Sequence, residues 1–133
     1  MAIVVLDAAV VIAFLDPDDA LHEAAVGALT QHQHDELVVP ASVYAEILVG
    51  PYRKGAQAVA EVEAFLEDFA ARIEAVTPAI ARAAARLRGG SKSVRLPDAL
   101  VLATADEVGA DRVLTGDDSW SKISRSVTLV RSR

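Results

Sequence analysis

The chain has 133 residues, enough for one compact domain and too few for two. With 53% hydrophobic and 24% charged residues it has material for a core and no bias towards disorder, and the lack of cysteine excludes disulfides, thiolate metal sites and cysteine nucleophiles. The net charge of −6 has the wrong sign for holding nucleic acid by bulk charge, but it is unevenly spread. From Ala75 to Pro97 there is no acid and five cations, Arg82, Arg86, Arg88, Lys92 and Arg95. From Ser119 onwards there are four more, Lys122, Arg125, Arg131 and Arg133, again with no acid. An acidic body thus carries two basic patches, which taken alone read as solvated faces.

In chain order, Ala2–Leu6 is an apolar run short enough for a buried strand, and Ala9–Leu15 turns into a short helix. The apolar start is expected to be neither a signal peptide nor a membrane span: it lacks a basic leader, is broken by Asp7 and is closed by Asp16. Asp16–Asp19 is a turn in which Asp18 or Asp19 can cap a helix reaching about Gln31. Glu36–Val39 is a second strand. Pro40 opens a helix that Gly50-Pro51 should stop near Val49. Lys54–Ala70 is an amphipathic helix with Val59, Val62, Phe65, Leu66 and Phe69 on one stripe. Arg72–Val76 is a third strand, and Pro78–Arg88 a helix ended by Gly89-Gly90. Pro97 starts a helix to about Val108. Arg112–Leu114 is a fourth strand, Thr115–Asp118 a turn into a short helical stretch, and Val127–Val130 a fifth strand. Strands separated by helices imply a single domain over residues 1–133: an α/β fold, a three-layer α/β/α sandwich on a mostly parallel sheet of about five strands. Such sheets bind ligands at the carboxyl ends of their strands.

Most of the 19 acids need no explanation, as with Glu61, Glu63, Glu67 and Asp68 on the wet side of an amphipathic helix, but four do not fit that pattern. Asp7 is the only charge in the first 15 residues and follows a buried strand. Glu46 is the only charge in Val43–Val49, and Asp98 the only one in Leu96–Ala105. Asp117 follows the fourth strand. Singly, Asp7, Asp98 and Asp117 read as helix caps or helix N-terminal charges. Glu46 is harder to explain, because a carboxylate in an apolar helix must find a partner or shift its pKa. Jointly they make a stronger pattern. Two carboxylates about 4 Å apart repel by about 4 kcal/mol at an effective dielectric near 20, so a cluster needs a cation. Oxygen-only ligands point to Mg²⁺, with Mn²⁺ as a substitute, and such ions suit phosphodiester hydrolysis.

The chain resembles PIN-domain proteins, and in length the VapC-type toxins of bacterial toxin–antitoxin pairs. The landmarks are the strand ending in Asp7, the helix after Val38-Val39-Pro40 carrying Glu46, Leu96-Pro97-Asp98-Ala99-Leu100, and Leu114-Thr115-Gly116-Asp117-Asp118-Ser119-Trp120, which is similar to a T-x-D-x-x-[FW] pattern. The resemblance implies a Mg²⁺-dependent endoribonuclease acting on RNA, a homodimer and inhibition by a small cognate antitoxin. It implies Asp7, Asp98 and Asp117 as metal-holding aspartates and Glu46 as the glutamate that completes the quartet, orienting water or a second ion. A cytoplasmic protein without membrane association is expected. One departure stands out: Ala8 and Ala9 replace the Ser or Thr usual after the first aspartate, and Thr115 is the candidate to supply that hydroxyl.

Other chemistries fit poorly. Gln31-His32-Gln33-His34 is a polar loop without a third ligand for zinc, and His22 reads as structural. Gly89-Gly90 lacks the context of a phosphate loop, and no serine carries a triad signature. An Asp-x-Asp phosphatase would need an acid where Ala9 stands, and a phosphoacceptor domain one where the third strand ends in Thr77-Pro78. The alternative from another class is a catalytically inactive PIN-like module that binds RNA or protein.

Overall fold

The computed structural model describes residues 1–117, 120 and 127–131. Five short runs form strands: β1 (Ile3–Leu6), β2 (Glu36–Pro40), β3 (Arg72–Glu74), β4 (Arg112–Thr115) and β5 (Val127–Leu129). Between them lie α1 (Ala8–Leu15), α2 (His22–Gln31), α3 (Ala41–Lys54), α4 (Ala56–Asp68), α5 (Pro78–Gly90) and α6 (Leu96–Glu107). Val4, Val5, Leu6, Leu37, Val38, Val39, Val113 and Leu114 have no exposed surface. That continuous apolar reading, without alternation, is what strands covered on both faces require.

The sheet order is β3-β2-β1-β4-β5, and every neighbouring pair is parallel. The chain moves outwards from β1 to β3, then returns across the sheet to β4 and β5. Because crossovers between parallel strands are right-handed, this order assigns α1 to α4 to one face and α5 and α6 to the other, in keeping with the expected α/β/α sandwich. The main core joins the strands to α1, α3, α4 and α6 and includes the buried Trp120. Phe14 of α1 meets Phe65 of α4 and Phe69, the C-cap of that helix, at centroid distances of 5.2 and 5.4 Å, which fastens α1 to the helical layer. A second cluster, Ile80, Ala84, Val94, Ala99 and Ala103, zips α5 to α6.

Several acids and histidines are accounted for by structure. Asp111 accepts the Ile3 N–H at 2.8 Å and Asp35 the Ala2 N–H at 3.1 Å, so both hold the amino end of β1. His32 Nδ1 lies 2.8 Å from Asp35 Oδ2, and His22 Nδ1 donates to the Ala13 carbonyl at 2.7 Å. Arg72 pairs with Glu36 and Glu74, which puts charge along the edge strand β3. Asp19 does not cap α2; its carboxylate accepts the Leu21 N–H and closes the preceding turn. Among the described residues no helix is long and apolar enough to cross a membrane.

Two helix ends differ from the sequence expectation: Gly89-Gly90 do not end α5 but form its last residues, with Ser91 as the C-cap, and α3 runs past its expected stop. Gly50-Pro51 does not stop α3, which runs on to Lys54. Pro51 removes a single intrahelical amide, and the last turn closes through the Gly55 N–H on the Pro51 carbonyl at 3.0 Å. Gly55, at φ 134°, then makes the actual corner into α4, a conformation that side chains beyond glycine rarely adopt. Arg53 and Lys54 in the last turn favour the extended helix by facing its negative end. The helix therefore tolerates a proline that still costs stability. Pro51→Ala is expected to stabilise the protein by roughly 1–3 kcal/mol. Urea unfolding checks this; no gain would mean that α3 is broken at Pro51 after all.

Candidate active site

In a parallel sheet the chain can leave neighbouring strands in opposite directions, and the crevice at that point takes ligands. Here the point lies between β1 and β4, the strands that precede Asp7 and Asp117. Asp7 extends the ladder, its N–H donating to the Leu114 carbonyl at 3.0 Å. It is also the N-cap of α1, and its Oδ1 accepts the Ala8 N–H at 2.8 Å. Oδ2 accepts the Thr115 hydroxyl at 2.8 Å, and Thr115 Oγ1 in turn accepts the Asp117 N–H at 3.1 Å. Thr115 is fully buried. A hydroxyl from β4 thus ties the first acidic motif to the last.

Electrostatics link the four acids. The Asp7 carboxyl is pushed up to about 6, mainly by burial; the Thr115 and Ala8 hydrogen bonds oppose this, and the charges of Asp98 and Glu46 add to it. Asp98 stands half-buried in the first turn of α6 and accepts the backbone N–H of Arg95, the N-cap residue. Its pKa is raised by burial first and by Asp117 next, while the Arg95 charge opposes the rise. Glu46 is raised by partial desolvation and then by Asp98. Asp7, Glu46, Asp98 and Asp117 are therefore near enough for each to be felt by at least one other. The helix-cap readings of Asp7 and Asp98 hold as well: each serves a helix start while belonging to this cluster.

Glu46 differs in setting from the sequence expectation. Val43 and Ile47 take the core side of α3, and Glu46 lies on the exposed side with Ala45 and Val49. Asp117 is exposed too, and its carbonyl accepts the Trp120 N–H at 3.3 Å. Among the described residues no three His, Asp or Glu side chains form a ready-made metal cage. The donor set nevertheless fits a hard cation that keeps its water: Mg²⁺ is usually held through one or two carboxylates and several waters. Mutually repelling carboxylates with raised pKa values are the form such a donor set takes without a counter-charge.

Arg82, Arg86, Arg88, Lys92 and Arg95 are all exposed along α5 and its link to α6. Of the second basic segment, Arg131 is exposed. Lys122, Arg125, Arg133, Asp118 and the helical stretch expected after Asp117 lie outside the described residues. Ser42, in the first turn of α3, was not singled out by sequence; a serine there reads as an ordinary helix-start residue.

Residues 4–126 match the PIN domain family. No curated protein matches the chain significantly. Among solved structures, a toxin–antitoxin complex from Klebsiella pneumoniae aligns at TM-score 0.81 with 20% identity, covering 98% of this chain and 99% of that one. VapC20 of Mycobacterium tuberculosis, described as a sarcin–ricin loop cleaving toxin, aligns at 0.77 with 19% identity over 91% and 95%. The FitAcB structure from Neisseria gonorrhoeae aligns at 0.72 with 22% identity over 97% of each chain. At such identities the likeness is one of fold.

The raised Asp7 pKa gives a signed expectation for the metal-free protein. Above its unfolded value of 3.8, a carboxyl held at about 6 contributes stability that is present at low pH and lost as the pH rises through 6. In EDTA, the stability of Asp7→Asn relative to wild type should therefore grow by about 2–3 kcal/mol between pH near 4 and pH near 7. Urea unfolding across that range measures it; a difference independent of pH would remove Asp7 as the strained carboxylate.

Proposed function

Because this chain belongs to the PIN-domain family, we propose that it is a Mg²⁺-dependent endoribonuclease, with Mn²⁺ as a substitute, and the toxin of a toxin–antitoxin pair. The observation that carries the reading is the mutual electrostatic influence of Asp7, Glu46, Asp98 and Asp117 at the β1–β4 switch point. In this reading Asp7, Asp98 and Asp117 hold the metal. When bound, the cation supplies positive charge for the scissile phosphate and acidifies water. Thr115 keeps Asp7 oriented and deprotonated through its hydrogen bond. Glu46, on the exposed side with a raised pKa, accepts the proton that the attacking water loses. The exposed arginines of α5 and Arg95 hold the flanking RNA backbone, a task that needs basic patches rather than overall positive charge.

The partner reading rests on a second feature. A groove of about 200 Å³ is bordered by Ile12, Leu15, Ile47 and Val62, with Glu46 and Glu61 also on its wall. It suits the apolar face of a short helix carrying a basic side chain towards the acids, the form expected of an antitoxin segment. Ile12 is 41% exposed although it belongs to the apolar α1, as a partner-covered residue would be in the isolated chain. A homodimer belongs to the same reading, as does RNA as substrate, in keeping with the cleaving activity named for the Mycobacterium tuberculosis relative.

Incubation of the purified chain with a structured RNA, in Mg²⁺ or Mn²⁺ against EDTA and beside Asp98→Asn, tests the assignment. Metal-dependent cutting is expected, falling by about 10²-fold or more in Asp98→Asn, while the melting temperature of the variant stays level or rises as repulsion is relieved. Absence of cutting, together with no thermal response of the wild type to metal, would favour the inactive binding module.

A further inference from the structure

Packing accounts for most of the surface of α3. Val43 and Ile47 enter the core, Tyr44 donates to Glu63 of α4, and Ile47, Gly50 and Pro51 border the groove described above. The side turned away from all of these is apolar instead of charged. Ala41, Ala45, Val49 and Tyr52 recur along it at helical spacing. Val49 is 50% and Tyr52 70% exposed. An outward apolar stripe that includes a tyrosine is what a helix covered by a partner carries in the isolated chain.

The charges beside the stripe say what the partner is. Glu46 and Arg53 are seven residues apart, two helical turns, so they stand on the same flank of the stripe. Both are exposed, and neither makes an ion pair among the described residues. A twofold axis through Val49 turns α3 onto itself antiparallel and keeps this flank on the same side in both copies. Arg53 lies four residues beyond that axis, and Glu46 of the partner subunit comes to lie three residues beyond it. The two are then level to within about 1.5 Å, and the match occurs twice, once for each copy. The same operation lays Tyr52 of one copy over the small Ala45 of the other, where a ring has room to pack. The surface is thus complementary, in shape and in charge, to itself.

We propose that α3 is the interface with a second copy of this chain, formed by antiparallel helices crossing at Val49 and exchanging two Arg53–Glu46 ion pairs. It rests on the nuclease reading only in that Glu46 belongs to the acidic site. Each copy thereby gives the other's Glu46 a counter-charge that the single chain lacks, and the stripe stays clear of the groove suited to the antitoxin segment.

The test is the mass of the full chain in solution by sedimentation equilibrium, with circular dichroism melts as the check on folding. The wild type is expected to be a dimer, and Val49→Glu, which sets two carboxylates on the axis, a folded monomer. Tyr52→Glu, at the more exposed position, repeats the test should Val49→Glu not fold. Arg53→Glu is expected to weaken the dimer by about tenfold or more, and adding Glu46→Arg to it should restore the dimer, because the exchanged pairs are rebuilt with their signs reversed. A monomeric wild type, a dimer that survives both stripe variants, or a charge swap that restores nothing overturns the proposal. None of these results bears on metal-dependent cutting by the wild type, so the nuclease reading stands or falls separately.

Discussion

Asp7 is held where two demands conflict. The β1–β4 junction requires a residue whose backbone continues the ladder to Leu114 and whose side chain starts α1. The same junction partly buries that carboxylate and places it within the field of Asp98 and Glu46. Two hydrogen bonds, from the Ala8 N–H and the Thr115 hydroxyl, keep the charge tolerable without cancelling the cost. Much of the remaining architecture serves this position. The parallel sheet sets β1 beside β4, α6 starts where its first turn brings Asp98 close, and α3 leaves β2 at the level of Asp7. A cation shared by the acids would turn an unfavourable cluster into a favourable one, so stability and function are coupled through one group.

The second cluster, between α5 and α6, has a related part. It fixes α5 to α6 through Ile80, Ala84, Val94, Ala99 and Ala103, leaving the arginines of α5 on the outside. Because α6 also carries Asp98, the basic patch and the acidic edge are joined by one rigid element instead of a free loop. Opposite charges can then sit near each other without neutralising each other: Arg95 moderates Asp98 and does not remove its upward shift.

The fold was largely legible in the sequence for a physical reason. Fully buried parallel strands are short, apolar and separated by amphipathic helices, and β1, β2 and β4 carry that signature plainly. The acids were legible because charge is scarce around Asp7 and Asp98, and burial makes such residues conspicuous. Glu46 was read correctly as isolated in sequence but not in setting. Helical periodicity places it on the exposed side, and Val49, 50% exposed, shows that an apolar residue in α3 need not be buried. Gly50-Pro51 misled because a local breaker rule competes with helix closure at Gly55, which only backbone geometry reveals.

The claim that a strained carboxylate cluster awaits a cation is tested most directly by thermal melts with and without Mn²⁺, at neutral pH and near pH 5, on the wild type and Asp7→Asn. If the acids share one ion, Mn²⁺ raises the wild-type melting temperature at neutral pH, raises it less near pH 5 where Asp7 is protonated, and does little to Asp7→Asn at either pH. A Mn²⁺ shift of equal size in both proteins at both pH values would contradict the shared site.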